Sequence, residues 1–112
     1  MRQIDRDTLR KTIGQSGLDV NKISKTITAI EVNLAKQAAK SKDRSVVLDE
    51  DSLAELGETV RIGAGLSMEK TGEVLENVTN LIKEKDEKVV QLLDHGIFEI
   101  KGGTLKFKLG KK

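Results

Sequence analysis

DVNKISKTITAIEVNLAKQAAK, residues 19–40, is the longest uninterrupted helical pattern in the sequence. Five of its branched apolar residues recur at steps of three or four, which places them on one stripe of a helix. These residues are Val20, Ile23, Ile27, Ile30 and Leu34. Asp19 is a suitable N-cap, and Lys36 and Lys40 suit the negative end of the helix dipole. The stretch therefore predicts a central helix whose apolar stripe the rest of the chain must cover.

The same stripe fits two roles. The spacing continues for little over two heptads before Gln37 interrupts it, which is shorter than a coiled coil requires. The stripe fits the core-facing side of a bundle helix, and it also fits a seam between two copies of the chain. The five stripe residues are therefore the candidate oligomer seam, with a dimer as the expected homo-oligomer.

Length and composition indicate one domain with little reactive chemistry. The 112 residues can bury roughly two thirds of their unfolded surface in a single core. Cys, Pro, Trp and Tyr are absent, and only Phe98 and Phe107 are aromatic. Without Cys there is no disulfide or thiolate zinc site, and two rings offer little for stacking on single-stranded nucleic acid. A chain without Cys suits a reducing compartment, so we expect a cytoplasmic protein. No apolar leader or membrane-length run occurs, so we expect no membrane partner.

The segment before the central helix, residues 1–17, predicts a weak and mobile N-terminal arm. Its few apolar residues are scattered between charges, and Gly14 and Gly17 are placed to end a short helix. On that helix, Arg6 and Arg10 would lie one turn apart on the same face. These two arginines are candidate contacts for a polyanion.

The segment after the central helix contains a short strand pattern and two helical patterns. SVVL at 45–48 is β-branched and too short for a helix, so it predicts a brief strand. The acidic run at 49–51 suits a helix N-terminus, and the glycine-containing turn at 63–65 ends that helix. Ser67 caps a second pattern that continues to His95. The polar run KEKDEK inside this pattern leaves open whether it forms one helix or two.

The C-terminal stretch, GIFEIKGGTLKFKLGKK, predicts a β-hairpin. Two alternating runs flank Gly102 and Gly103, a pair that tolerates the positive φ angles of a two-residue turn. The predicted cross-strand pairs are Ile100 with Leu105, Phe98 with Phe107, and Glu99 with Lys106. The hairpin lysines Lys101, Lys106 and Lys108 are further candidate contacts for a polyanion.

Together these patterns predict a mainly α fold, with three to five helices in a bundle and a C-terminal two-stranded antiparallel β-hairpin. A third short strand at 45–48 is an option. We expect a single domain over 1–112, with the arm at 1–17, the bundle at 19–95 and the hairpin at 97–109.

Charge alternates in sign along the chain. Residues 1–48 hold ten Lys or Arg against five Asp or Glu, residues 49–95 hold five against twelve, and residues 96–112 hold five against one. Such blocks can pack beside each other within one copy. They also fit a contact between two copies, or a basic end that meets a polyanion.

A search for chemical sites predicts no catalytic residue, no cofactor and no metal. The stretch GAGLSMEKTG fails as a P-loop, because Ala64 and Glu69 stand where glycines are needed. The acidic run at 49–51 lacks the spacing of a calcium loop. The single histidine, His95, is expected to cap a helix with Gly96 as the residue that ends it. We therefore expect a protein that is not an enzyme.

The order of helix, short strand, helix, turn, helix and hairpin is similar to that of a winged-helix domain. The resemblance implies that SVVL joins the hairpin in a small sheet, and that the helix from Ser67 to Asn80 lies in a DNA groove. The hairpin would be a basic wing, with Lys111 and Lys112 at its end. Against this, the groove-reading segment carries one lysine and three glutamates.

Two functions remain from the sequence. The first is a non-enzymatic module for protein–protein interaction or oligomerisation, whose partner is a second copy or another protein. The alternative is a small winged-helix-like DNA-binding regulator that uses the basic hairpin and the N-terminal arm.

Overall fold

A computed structural model of the chain describes residues 2–84, 88–93 and 96–110. These ranges hold four helices and five strands. In chain order they are β1 (Arg2–Ile4), α1 (Arg6–Gly14), α2 (Val20–Ala39), β2 (Ser45–Val47), α3 (Glu50–Ala64), α4 (Met68–Lys83), β3 (Val89–Leu92), β4 (Gly96–Lys101) and β5 (Thr104–Leu109). The strands form one sheet, and residues from helices and strands together form one buried core.

The sheet is mixed, with the strand order β1-β3-β4-β5-β2. β1 runs parallel to β3, and the other neighbouring pairs are antiparallel. Successive side chains of a strand point to opposite faces, so alternate residues turn inward. The inward set is buried and includes Val90, Leu92, Phe98, Leu105 and Phe107. The helices therefore cover one face of the sheet and leave the other partly open to solvent.

The prediction of a helical bundle with a separate two-stranded hairpin is wrong. The hairpin is present, but it is the β4–β5 part of a five-stranded mixed sheet. The predicted bundle range 19–95 contains two of the other strands, β2 and β3. Residues 2–17, within the predicted arm, contain β1 and a helix whose Leu9 and Ile13 are buried in the core. The sheet thus draws its strands from the segment before α1, the link between α2 and α3, and the chain after α4.

The C-terminal part of the long pattern after Ser67 is a strand. α4 ends at Lys83, and Val89–Leu92 is β3. Val90 and Leu92 turn inward, which is the two-residue period of a strand. A run of four residues is too short for this period to be distinguished from that of a helix. The pairing of β3 with both β1 and β4 decides the outcome, because it satisfies the backbone groups of β3 on both sides.

The local predictions for the hairpin and for strand β2 are confirmed. Phe98 pairs with Phe107, and their ring centroids are 5.2 Å apart with the planes inclined at 57°. The pairs of Ile100 with Leu105 and of Glu99 with Lys106 are also present. β2 pairs antiparallel with β5, as the resemblance to a winged-helix domain implies.

The predicted helix starts are also confirmed. The side chains of Asp19, Asp49 and Ser67 each accept a hydrogen bond from a backbone N–H in the first turn of α2, α3 and α4 respectively. At the other end of α3, Gly65 has a φ of +67°, a left-handed conformation that favours glycine. None of the four helices in the described ranges is long and apolar enough to cross a membrane.

Gly96 does not end a helix, contrary to the prediction. It is the first residue of β4 and faces the ring of Phe107. A Cβ at this position would lie 2.3 Å from the carbonyl oxygen of Lys108 and 2.7 Å from the Phe107 ring. The glycine is therefore required by close packing in the sheet. His95, for which a capping role is predicted, lies outside the described residues.

Candidate functional site

An open groove of about 380 Å³ lies between α2 and α3. Its lining is mostly apolar or small, with one charged residue, and consists of Ser24, Lys25, Thr28, Ala29, Val32, Thr59 and Gly63. The two helices approach each other closely at the groove, since a Cβ added to Gly63 would lie 3.5 Å from the Cβ of Ala29. Small residues at this crossing bring the helices together and leave the space above them unfilled.

Two large apolar side chains stand exposed beside this groove. Val32 of α2 lines the groove and is 58% exposed. Ile62 of α3 is 67% exposed, and it lies one turn from Thr59, which lines the groove. Exposed apolar side chains that flank an apolar concavity are typical of sites where proteins bind one another.

A polar network below the groove holds the two helices in register. The side-chain amide of Asn33, which is 2% exposed, donates to Thr59 Oγ1 at 2.9 Å and to Glu55 Oε2 at 3.2 Å. The amide of Gln37 donates to Asn33 Oδ1 at 2.6 Å and to the carbonyl oxygen of Ser52 at 3.1 Å. Gln37, which interrupts the apolar stripe of the sequence, thus has a structural role.

These contacts also show which residues of the two helices lie level. Asn33 is level with Thr59, Gln37 with Ser52, and Ala29 with the glycine at position 63. As the residue number rises along α2, the number of its neighbour on α3 falls. The two helices are therefore antiparallel.

The outer surfaces of the two helices carry opposite charges. The exposed ionisable residues of α2, with its C-cap, are the lysines Lys22, Lys25, Lys36 and Lys40. The exposed ionisable residues of α3 are the acids Glu50, Asp51, Glu55 and Glu58. Glu58 forms an ion pair with Arg61 of the same helix, and the hydrogen bond from Arg61 lowers the pKa of its carboxyl. The groove therefore separates a basic helix surface from an acidic one.

The five residues of the predicted oligomer seam do not form a surface. Ile27, Ile30 and Leu34 are buried in the core of the single copy, with exposed fractions between 0% and 3%. Ile23 is partly buried against the same core, whereas Val20 is 79% exposed at the start of α2. The stripe therefore faces the core of its own chain, and a second copy cannot reach it without opening the fold.

Four of the five candidate polyanion contacts form ion pairs within the chain. Arg6 contacts Glu31 at 3.1 Å, Arg10 contacts Asp7 at 2.9 Å, Lys106 contacts Asp43 at 3.7 Å, and Lys108 contacts Glu99 at 3.9 Å. The fifth, Lys101, is exposed at the hairpin turn. The two groups lie on different elements, since Arg6 and Arg10 are on α1, whereas the three lysines are on β4 and β5. Lys111 and Lys112 lie outside the described residues.

The groove residues Val32 and Ile62 were not identified from the sequence. Val32 lies outside the apolar stripe, two positions after Ile30, so the helical period turns it away from the core. This off-stripe position is the signal that could have identified it. Ile62 carries the same signal, because it lies two positions after Val60, a buried residue of α3.

A second cleft, of about 360 Å³, lies between α1 and α4 and is more polar. It is lined by Thr12, Gln15, Asn77, Asn80, Leu81 and Glu84.

In the described ranges, no group of three or more His, Cys, Asp or Glu residues is placed to hold a metal ion. No protein-family model, curated protein or solved structure matches this chain.

Proposed function

We propose that this protein is a non-enzymatic interaction module that forms a homodimer through the groove between α2 and α3. The observation that carries the proposal is the exposure of Val32 and Ile62 beside an apolar groove. Burial of a large aliphatic side chain stabilises a complex by about 1.5–3 kcal/mol before the costs of association. Both copies would bury these two residues in a two-fold contact.

The size of the surface is consistent with a dimer. α2 has 20 residues, which corresponds to a length of about 30 Å, and two adjacent helices are about 20 Å wide. The face formed by α2 and α3 therefore covers roughly 600 Å² per copy, close to the lower limit for specific interfaces. Such an interface predicts a dimer that dissociates on dilution.

The charges favour a second copy as the occupant of the groove. The groove lies between a basic and an acidic helix surface. A second copy can therefore place its acidic surface against the basic one and its basic surface against the acidic one. A two-fold interface uses the same surface twice, so it needs a surface that is complementary to itself. A partner protein of a single charge would satisfy only one side of the groove.

The test is sedimentation velocity over a range of concentrations, with the native protein compared with the double variant Val32→Glu and Ile62→Glu. We expect a concentration-dependent dimer for the native protein and a monomer for the variant, because each Glu would place a charge in the contact. The matched control is Val20→Glu, an exposed valine of the same helix that does not line the groove. A native protein that remains monomeric at high concentration contradicts the proposal.

DNA binding is the second candidate, and the pairing of β2 with β5 is the observation that favours it. The resemblance of the order of elements to a winged-helix domain implies this pairing. The charges oppose DNA binding, since Glu69, Glu73 and Glu76 are exposed on α4, the helix that would enter a groove of the DNA. Affinity for duplex DNA at two salt concentrations tests it, and a flat or absent response rejects it.

The remaining predictions form part of the same proposal. We propose no catalytic activity, no cofactor, no metal and no membrane partner. The cytoplasmic location expected from the cysteine-free sequence also stays a prediction.

A further inference from the structure

We infer that α2 of each copy lies against α3 of its partner, with the two-fold axis parallel to the helices. This inference rests on the proposed dimer and specifies its geometry. Two copies can meet face to face about an axis parallel to the helices or about an axis across them. Only the first arrangement places each α2 opposite the partner's α3, whereas the second places α2 against α2.

Charge selects between the two arrangements. The second arrangement would bring the lysines of one α2 against those of the other, and the carboxylates of α3 against one another. Like charges that meet in an interface weaken association, whereas opposite charges favour it. The parallel axis brings each basic surface onto an acidic one.

The register within one copy identifies the facing residues. A rotation about an axis parallel to the helices does not change the level of a residue along that axis. Because Asn33 is level with Thr59, and Gln37 with Ser52, Lys36 is level with Glu55. Lys36 therefore faces the partner's Glu55 across the interface.

The same construction places the apolar residues together. Val32 lies one turn before Lys36, and its level on α3 falls between Thr59 and Ile62. Val32 therefore packs beside the partner's Ile62. This arrangement covers Val32 and Ile62 of each copy, the two exposed apolar side chains beside the groove.

The side chains concerned are available for these contacts. Among the residues that the structure describes, Lys36 takes part in no ion pair. Glu55 uses Oε2 to accept from Asn33, and its other carboxylate oxygen remains available for a partner. The two Lys36–Glu55 contacts of the dimer would add electrostatic specificity to the apolar contact.

A charge exchange between two variants tests this geometry. In a Lys36→Glu homodimer both contacts become pairs of carboxylates, and in a Glu55→Lys homodimer both become pairs of ammonium groups. We expect each variant alone to dimerise about tenfold or more weakly than the native protein. In a mixture, the heterodimer of the two variants regains an opposite-charge pair at both contacts. Native mass spectrometry should therefore find the heterodimer above its statistical share.

The matched control is Lys22→Glu, an exposed lysine on α2 whose level lies beyond the C-terminal end of α3. This variant should dimerise as the native protein does and show no preference for Glu55→Lys. Circular dichroism must show that each variant is folded, because Glu55 also accepts from Asn33.

A second measurement uses the absence of cysteine from the chain. Helix axes in contact are about 8–10 Å apart, a distance that a short bis-maleimide spans. We expect a mixture of Val32→Cys and Ile62→Cys to cross-link more rapidly than either variant alone. Faster cross-linking of Val32→Cys to itself would overturn the parallel axis while leaving the dimer intact. A protein that stays monomeric would overturn both the geometry and the proposed function.

Discussion

The guanidinium of Arg2 donates to the carbonyl oxygen of Ile82 at 2.7 Å and so ties the first strand to the last turn of α4. It also donates to the carbonyl oxygen of Leu81 at 2.7 Å and lies 3.6 Å from the carboxylate of Glu84. The last carbonyls of a helix lack partners within the helix and carry its negative dipole end. A positive charge from a distant strand therefore supplies the C-terminal cap of α4.

Replacement of Arg2 by Ala should destabilise the protein by about 1.5–3 kcal/mol, the typical contribution of hydrogen bonds that involve a charged group. The measurement is the free energy of unfolding from urea denaturation. Arg10→Ala is the control, because Arg10 pairs with Asp7 where both side chains are at least half exposed. Its effect should stay below about 1 kcal/mol. Equal effects of the two variants would contradict the capping role.

Gly96→Ala should destabilise the protein by about 1–3 kcal/mol or more, because the added Cβ overlaps the carbonyl oxygen of Lys108 and the ring of Phe107. Gly72→Ala in α4 is the opposite case, since a Cβ there meets nothing within 4 Å. It should stabilise the protein by about 0.5–1 kcal/mol through helix propensity. Thermal unfolding of both variants checks the pair, and a neutral Gly96→Ala would show that the sheet can relax.

Asn33→Ala should lower the free energy of unfolding by about 1–3 kcal/mol, because removal of the buried amide leaves Gln37 and Thr59 without their hydrogen-bond partner. Asn21→Ala is the control, since Asn21 is an exposed residue of the same helix. Its effect should remain within about 0.5 kcal/mol. The urea midpoints of the two variants measure the difference. A loss for Asn33→Ala no larger than the control would show that the network adds no stability.

Asp43 gives a pH-dependent contribution to stability. Hydrogen bonds from the hydroxyls of Ser41 and Ser45, together with the nearby Lys106, lower the pKa of Asp43 from 3.8 to about 2. A lowered pKa in the folded state stabilises the fold above the unfolded pKa, and the stabilisation is lost as the pH falls through the folded value.

The native protein should therefore be more stable than Asp43→Asn at neutral pH. The difference should shrink as the pH falls from 3.8 towards about 2, and it should vanish below that value. Urea denaturation of both proteins across this range measures it. A difference that does not change with pH would show that the carboxylate charge is not the cause.

The parts of the fold that the sequence predicts are those with local signals. Gly102 and Gly103 between two alternating runs are sufficient to predict the hairpin and its register. Asp19 and Ser67 mark the helix starts because a capping side chain acts on its own first turn. Strands β1 and β3 escape prediction because each is only three or four residues long, and the pairing partner of β1 is distant in the chain.

The candidate site was less predictable than the fold. An apolar stripe shows which side of α2 is buried, but it does not show whether the cover comes from the same chain or from a second copy. Ile27 and Leu34 are covered by their own chain, so the predicted seam is part of the core. Val32 became a candidate only when the packing of α3 left it exposed beside a groove.

The parallel pairing of β1 with β3 has a consequence for the synthesis of the chain. Arg2 and Ile4 are made before their partners Val90 and Leu92, and all four described helices lie between them in the chain. Chains emerge at about 5–20 residues per second, so the N-terminal strand waits several seconds for its partner. During that interval the edge of β1 has no neighbour in the sheet, and Arg2 has no α4 terminus to cap until Ile82 is made. β1 can therefore join the sheet only after β3 has been made, and a nascent chain that ends after α2 has neither the strand that pairs with Ile4 nor the helix end that Arg2 caps.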